Sequence, residues 1–168
     1  MEDDVLGELS YLSDNLNQKS DKLNSAICAV NTKLGKLKLG IEVWLENPPL
    51  DLGEHQDVTD FDGKRFGGYR RVKLLGYARV GRKWQLAVRQ ARMLTETGEL
   101  VDELEYPDTA MQNLQEPRPV PPYPLLDASR QARSDAMALV PHLITLLKKR
   151  GELLLRAVEA AEKAAEQL

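Results

Sequence analysis

A chain of 168 residues with 42% hydrophobic and 29% charged side chains has the composition of one globular domain, 1–168, and not of a disordered polymer. Aromatic residues make up only 5%, which argues against an aromatic-lined ligand cavity and leaves the core to aliphatic packing. One cysteine, Cys28, and two histidines, His55 and His142, exclude an internal disulfide and a Cys/His zinc site, and the net charge is only −3.

The chain opens "MEDDVLGELS", which lacks the basic and then apolar regions of a secretory leader. No apolar run approaches the roughly 20 residues that span a bilayer. The expectation is a cytoplasmic protein with no membrane segment.

Residues 3–38 read as one long helix. Val5, Leu9, Leu12, Leu16, Leu23, Ala26, Val30 and Leu37 keep heptad spacing, and Ile27 and Leu34 widen the stripe. Acids open this helix and Lys33, Lys36 and Lys38 close it, in agreement with the helix dipole. Gly40 stands where a left-handed C-terminal cap belongs. Lys19 interrupts the seam.

Residues 40–106 read as a small β-meander. Ile41, Val43 and Leu45 alternate on one face of a first strand. Residues 47–68 carry many acids and turn formers and read as a loop. Residues 69–80 and 83–95 form a hairpin around Gly81-Arg82, with a type II′ turn. That turn sets Val80 against Lys83, Tyr77 against Leu86 and Leu75 against Val88. The core face then carries Leu75, Tyr77, Trp84, Leu86 and Val88. The other face carries Val72, Leu74, Gly76, Ala78, Ala87 and Ala91, whose small residues leave room for a close partner. A short strand with Leu100, Leu104 and Tyr106 follows.

Charge divides this region into blocks. Residues 39–62 hold seven acids and no base, 63–95 ten bases and no acid, and 96–116 seven acids and no base. The ten bases are Lys64, Arg65, Arg70, Arg71, Lys73, Arg79, Arg82, Lys83, Arg89 and Arg92. Interleaved with Phe66, Tyr69, Tyr77 and Trp84, they fit a surface for phosphates and bases. The competing expectation is internal pairing with the flanking acids across strands, and it is favoured because Tyr77 and Trp84 fall on the core face.

Residues 107–124 read as a proline-rich connector, with Arg118, Pro121 and Pro124 in a polyproline-ligand spacing. Residues 125–168 read as a second long helix, with Ala136, Leu139, Leu143, Leu146, Leu153, Ala157, Ala160 and Ala164 at heptad spacing. Leu147 and Leu154 lie beside this seam, Arg150 interrupts it, and Pro141 kinks the helix or starts its main segment. The simplest packing is an antiparallel pair in which Lys19 and Arg150 share a polar layer.

Catalytic signatures are missing: there is no Gly-x-Ser-x-Gly, His-Glu-x-x-His or phosphate-cradling Gly-Lys-Ser/Thr. "DVTDFDG" fails as a calcium loop, because its closing position is Tyr69. The expected fold is therefore α+β, two long antiparallel helices flanking a three- or four-stranded antiparallel meander. The expected function is a non-enzymatic interaction or self-association module without cofactor or metal. It would act through Leu9, Leu12, Leu16, Lys19, Leu23, Ile27, Val30, Leu34, Leu143, Leu146, Arg150, Leu153 and Leu154, with a charged sheet surface. Binding of nucleic acid or another polyanion by the basic hairpin is the alternative.

Overall fold

A computed structural model describes residues 2–102, 104–106, 110 and 120–166. The architecture is α+β. Helix α1 (Glu2–Lys36) is followed by strands β1 (Val43–Leu45), β2 (Asp51–Thr59), β3 (Arg65–Val80), β4 (Lys83–Leu94), β5 (Leu100–Val101) and β6 (Tyr123–Pro124). A single 3₁₀ turn (Leu125–Asp127) then leads into helix α2 (Arg130–Glu166). Each strand pairing is antiparallel.

The β3–β4 hairpin is the spine. Its register has Val80 opposite Lys83, Tyr77 opposite Leu86 and Leu75 opposite Val88, as the Gly81-Arg82 turn requires. Gly81 takes φ +63° and Arg82 stays out of the left-handed region, the pattern of a type II′ turn. β1 and β2 both lie against β3, at its two ends, while β5 and β6 lie against β4. The sheet therefore exceeds the expected three or four strands.

Most of the expected loop 47–68 is strand. In β2 only Val58 is buried, so the acids and glycines that suggest a loop stand at the solvent side of the ladder. Two register shifts, after Leu52 and after Val58, absorb the irregular sequence. The proline segment also contributes a short strand, because Tyr123 and Pro124 pair with Val88 and Ala87. The Arg118-x-x-Pro121-x-x-Pro124 spacing itself lies partly outside the described residues.

One sheet face carries two apolar cores separated by a polar band. In the first core, Val43, Leu45, Leu75, Tyr77, Leu86 and Val88 meet Ile27 and Leu34 of α1 and Ala136, Val140, Leu143 and Leu147 of α2. The second core, at the other end of the hairpin, joins Val58 and Tyr69 to Leu104 and Ala110. By strand alternation Arg71, Lys73, Gln90 and Arg92 stand on the same face between them. That polar band is where the apolar floor under the helices stops.

Local chemistry fixes the helix ends. α1 stops at Lys36, where Leu37 and Lys38 N–H donate to Leu34 and Gly35 carbonyls. Lys38 takes φ +49° before Gly40 does, so the left-handed cap comes two residues earlier than glycine placement suggested. α2 starts at Arg130, not 125, because the Ser129 hydroxyl accepts the Ala132 N–H at 3.2 Å. The helix runs through Pro141.

The antiparallel pairing is corrected. Arg130 Nη2 donates to Asn17 Oδ1 at 3.2 Å, at the very start of α2. Ile41, five residues after the end of α1, has its Cδ1 3.9 Å from where a Cβ on Gly151 would stand. If α1 ran against α2 from the Asn17 contact, Lys36 and Gly151 would lie about 60 Å apart at about 1.5 Å rise per residue. Five residues reach only about 18 Å. The helices therefore run in the same general direction. Lys19 and Arg150 share no layer: both are exposed, and they lie at opposite ends of the shared stretch, about 30 Å apart.

Candidate interaction surfaces

The structure divides each helical seam into a covered half and a bare half. In α1, Ile27 and Leu34 are buried, Leu23 and Val30 are half-buried against the core, and the buried column begins at Ser20. The buried face is thus centred on Ser20, Ile27 and Leu34, seven residues apart, and Ala26 and Leu37 stand in solvent. Asn31 anchors this half, its Oδ1 accepting the Leu86 N–H at 2.7 Å. From residue 4 to residue 19 no side chain is buried. Val5, Leu9 and Leu12 are 54–55% exposed and Leu16 is 49% exposed.

At 100° per residue, Val5, Leu9, Leu12 and Leu16 lie on the same side as Leu23, Ile27 and Leu34. The apolar stripe continues although its cover ends. α2 repeats the pattern in reverse. Leu143 and Leu147 are buried, Leu146 is half-buried, and from residue 152 to 166 every side chain is exposed. Leu153 and Leu154 are 49% and 51% exposed, and Val158 is 47% exposed.

Length explains the split. Helices of 35 and 37 residues extend about 53–56 Å at 1.5 Å per residue. The sheet residues that meet them are confined to Val43, Leu45, Leu75, Tyr77, Leu86 and Val88, so the helices outrun their apolar floor. Since the helices run the same way, their bare ends project in opposite directions. We call residues 2–16 the N-arm and 152–166 the C-arm. Each is about 22 Å long.

A groove of about 550 Å³ lies where the C-arm begins. Its floor is edge strand β1 with Val43, Trp44 and Leu45, and its wall is Leu146, Lys149, Arg150 and Leu153 of α2. Glu42, Glu46 and Arg89 complete the rim.

On the opposite sheet face Val72, Leu74, Ala78 and Ala87 are buried, and Trp44 lies against Gly76. Its ring occupies the space that a Cβ on Gly76 would need. The Arg89 guanidinium lies 5.3 Å from the ring centroid, and the Trp44 Nε1–H donates to Glu42 at 2.7 Å. The room expected there for a partner is filled by the chain itself.

The ten bases form no single surface. Alternation sends Arg71, Lys73, Arg79 and Arg92 to the helix-bearing face and Arg70, Lys83 and Arg89 to the other. Arg70 and Arg92 donate to the Gly53 and Asp102 carbonyls at 3.1 and 2.6 Å. Lys64 lies over the Phe66 ring at 5.3 Å. Arg65 joins both acidic blocks, with Asp57 at 2.7 Å and Glu96 at 3.1 Å. Arg70, Arg71, Lys73, Arg79, Arg82 and Lys83 form no salt bridge among the described residues. Tyr77 and Trp84 stack on each other with centroids 5.7 Å apart, Tyr77 within the core.

His55 has two partners. Nδ1 is 2.8 Å from Thr95 Oγ1, and Nε2 is 2.8 Å from Asp57 Oδ1. Hydrogen bonds from His55 and then Arg65 hold the Asp57 carboxyl below the ordinary aspartate range. Since the same carboxylate oxygen already serves Arg65, this exposed cluster reads as a clamp that joins β2, β3 and the turn after β4.

Among the described residues, no group of His, Cys, Asp and Glu is placed to hold a metal ion, and no helix is long and apolar enough to cross a membrane. Comparison with protein-family models, with curated proteins and with solved structures returns no match.

Proposed function

We propose that this protein is a non-enzymatic interaction and assembly module that works through its two helical arms. One observation carries the reading: the apolar stripes of α1 and α2 continue beyond the sheet that covers them, at both ends of the body. A helical segment of about 12–15 residues is marginal in water without a packed face. Leucines at heptad spacing on such a segment suit a partner helix. The charged sheet edge and groove beside α2 would add register to that pairing.

Size-exclusion chromatography with light scattering tests it on the intact chain. A mass above that of one chain, rising with concentration or with added partner, is expected. Leu9→Glu with Leu12→Glu should remove it without unfolding the body, since both residues are half-exposed. A variant that associates like the parent would overturn the reading.

Polyanion binding stays the second reading, favoured by the exposed Arg79, Arg82 and Lys83 around the hairpin tip. Against it stands the division of the other bases between two faces. Oligonucleotide anisotropy at two salt concentrations separates the readings, because phosphate binding weakens steeply with salt.

A further inference from the structure

We propose that the β3–β4 hairpin tip and the end of α1 form one basic surface that docks this chain peripherally on an anionic lipid bilayer. The inference rests on the polyanion reading of the hairpin tip and names the polyanion. It makes no use of the arms and needs no membrane-spanning helix.

The fold brings two distant segments to one end of the body. β1 enters the sheet with Val43 opposite Tyr77 and proceeds to Leu45 opposite Leu75. The chain that joins α1 to β1 therefore comes in from the tip side of the hairpin. Asn31 of α1 holds the Leu86 N–H, close to where β4 leaves the turn. Tyr77 lies about 13 Å from Gly81 at about 3.3 Å per residue. Lys38 lies within about 18 Å of Val43 along the chain.

Charge at this end is of one sign. Residues 22–41 and 63–95 hold no acid. Lys33, Lys36, Lys38, Arg79, Arg82 and Lys83 are all exposed, and none forms a salt bridge among the described residues. Glu42, the next acid along the chain, is drawn to the Trp44 side of β1, where it accepts the Trp44 Nε1–H. The groove strand and the C-arm, residues 42–46 and 148–166, hold five bases and six acids between them. They are close to neutral and leave the six bases uncompensated.

Two leucines choose the polyanion. Leu37 is 62% exposed and Leu39 is 37% exposed, and they alternate with Lys36 and Lys38. Neither joins an apolar core. A sugar-phosphate backbone binds through charge and hydrogen bonds and gains nothing from aliphatic tips. Aliphatic tips set among bases suit the boundary between headgroups and acyl chains of an anionic bilayer. Base stacking, which a single-stranded nucleic acid would use, lacks a free ring at the tip, because Trp84 is already stacked on Tyr77.

Co-sedimentation of the full chain with vesicles tests the proposal. Vesicles of equal parts phosphatidylcholine and phosphatidylserine should bind the chain at low salt and release it at high salt, and phosphatidylcholine alone should not bind it. Lys33→Glu with Lys36→Glu, and separately Arg79→Glu with Arg82→Glu, should each weaken binding roughly tenfold or more. Leu37→Ser with Leu39→Ser should weaken vesicle binding and leave binding to a duplex oligonucleotide unchanged. Circular dichroism of each variant checks that the fold persists.

If a duplex oligonucleotide binds and the anionic vesicles do not, the polyanion reading stands and this inference is wrong. If neither binds, both fall together. If only the hairpin variant weakens vesicle binding, α1 takes no part and the shared surface is overturned. A leucine variant that binds vesicles like the parent would overturn the choice of lipid.

Discussion

Residues 20–34 of α1 and residues 2–16 of the same helix share one apolar stripe but not one environment. The inner stretch holds Ile27 and Leu34 in the core, with Asn31 bound to the Leu86 N–H. The outer stretch holds Val5, Leu9, Leu12 and Leu16 in solvent. α2 shows the same contrast between Leu143 and Leu154. Hydrophobic periodicity thus reports that a face will be covered. It does not report by what. Where the sheet reaches, the cover is intramolecular, and beyond it the same pattern becomes an invitation to another helix.

Substitutions at matched positions probe that contrast. Leu143→Ala should give the largest loss, about 2–5 kcal/mol in urea unfolding, because the side chain is fully enclosed. Leu154→Ala, about three turns further along the same face, should cost within about 0.5 kcal/mol under conditions where the chain is monomeric. Equal losses at the two sites would erase the distinction between covered and bare halves.

Gly76→Ala should cost about 1–3 kcal/mol, since the added methyl must displace the Trp44 ring. Quenching or a spectral shift of tryptophan fluorescence should accompany it. Asn31→Ala should cost about 1–2 kcal/mol by leaving the Leu86 N–H without its acceptor, and so loosen the inner half of α1 specifically.

The smallest effect concerns acid stability. Asp57 titrates lower in the folded chain than in the unfolded one, so its contribution is present above the unfolded value and is lost as pH falls through the folded value. Stability should therefore decline as pH drops below about 4. Asp57→Asn should flatten that decline slightly, as denaturation midpoints at a series of pH values would show. An unchanged slope would mean that the clamp contributes nothing at this exposed site.

Much of the body was legible from residue patterns. The Gly81-Arg82 turn dictated the hairpin register, because only one pairing follows from a two-residue loop. Val43 and Leu45 pointed inward by simple alternation. Other features were not local enough to read. β2 hides its strand character because only one of its side chains is buried. Helix direction follows from two long-range placements, Asn17 beside Arg130 and Ile41 beside Gly151, that no periodicity encodes. The heptad seam was read through Ala26 and Leu37, whereas the sheet took Ser20, Ile27 and Leu34. That shift arises because a helix on a flat sheet buries a broader face than a coiled coil does. Of the proposed surfaces, the leucines of both arms were visible in the sequence. The groove was not, since it joins an edge strand to a helix a hundred residues away.

Amide hydrogen exchange across a range of protein concentrations tests the central claim most directly. At high dilution, amides in 20–34 and 136–147 should exchange slowly while those in 5–16 and 153–165 exchange fast. Raising the concentration should slow the arms and leave the inner stretches unchanged. Arms that exchange at one rate at every concentration, or that are as protected as the core when dilute, would contradict an account in which the sheet holds the inner halves and a second chain covers the rest.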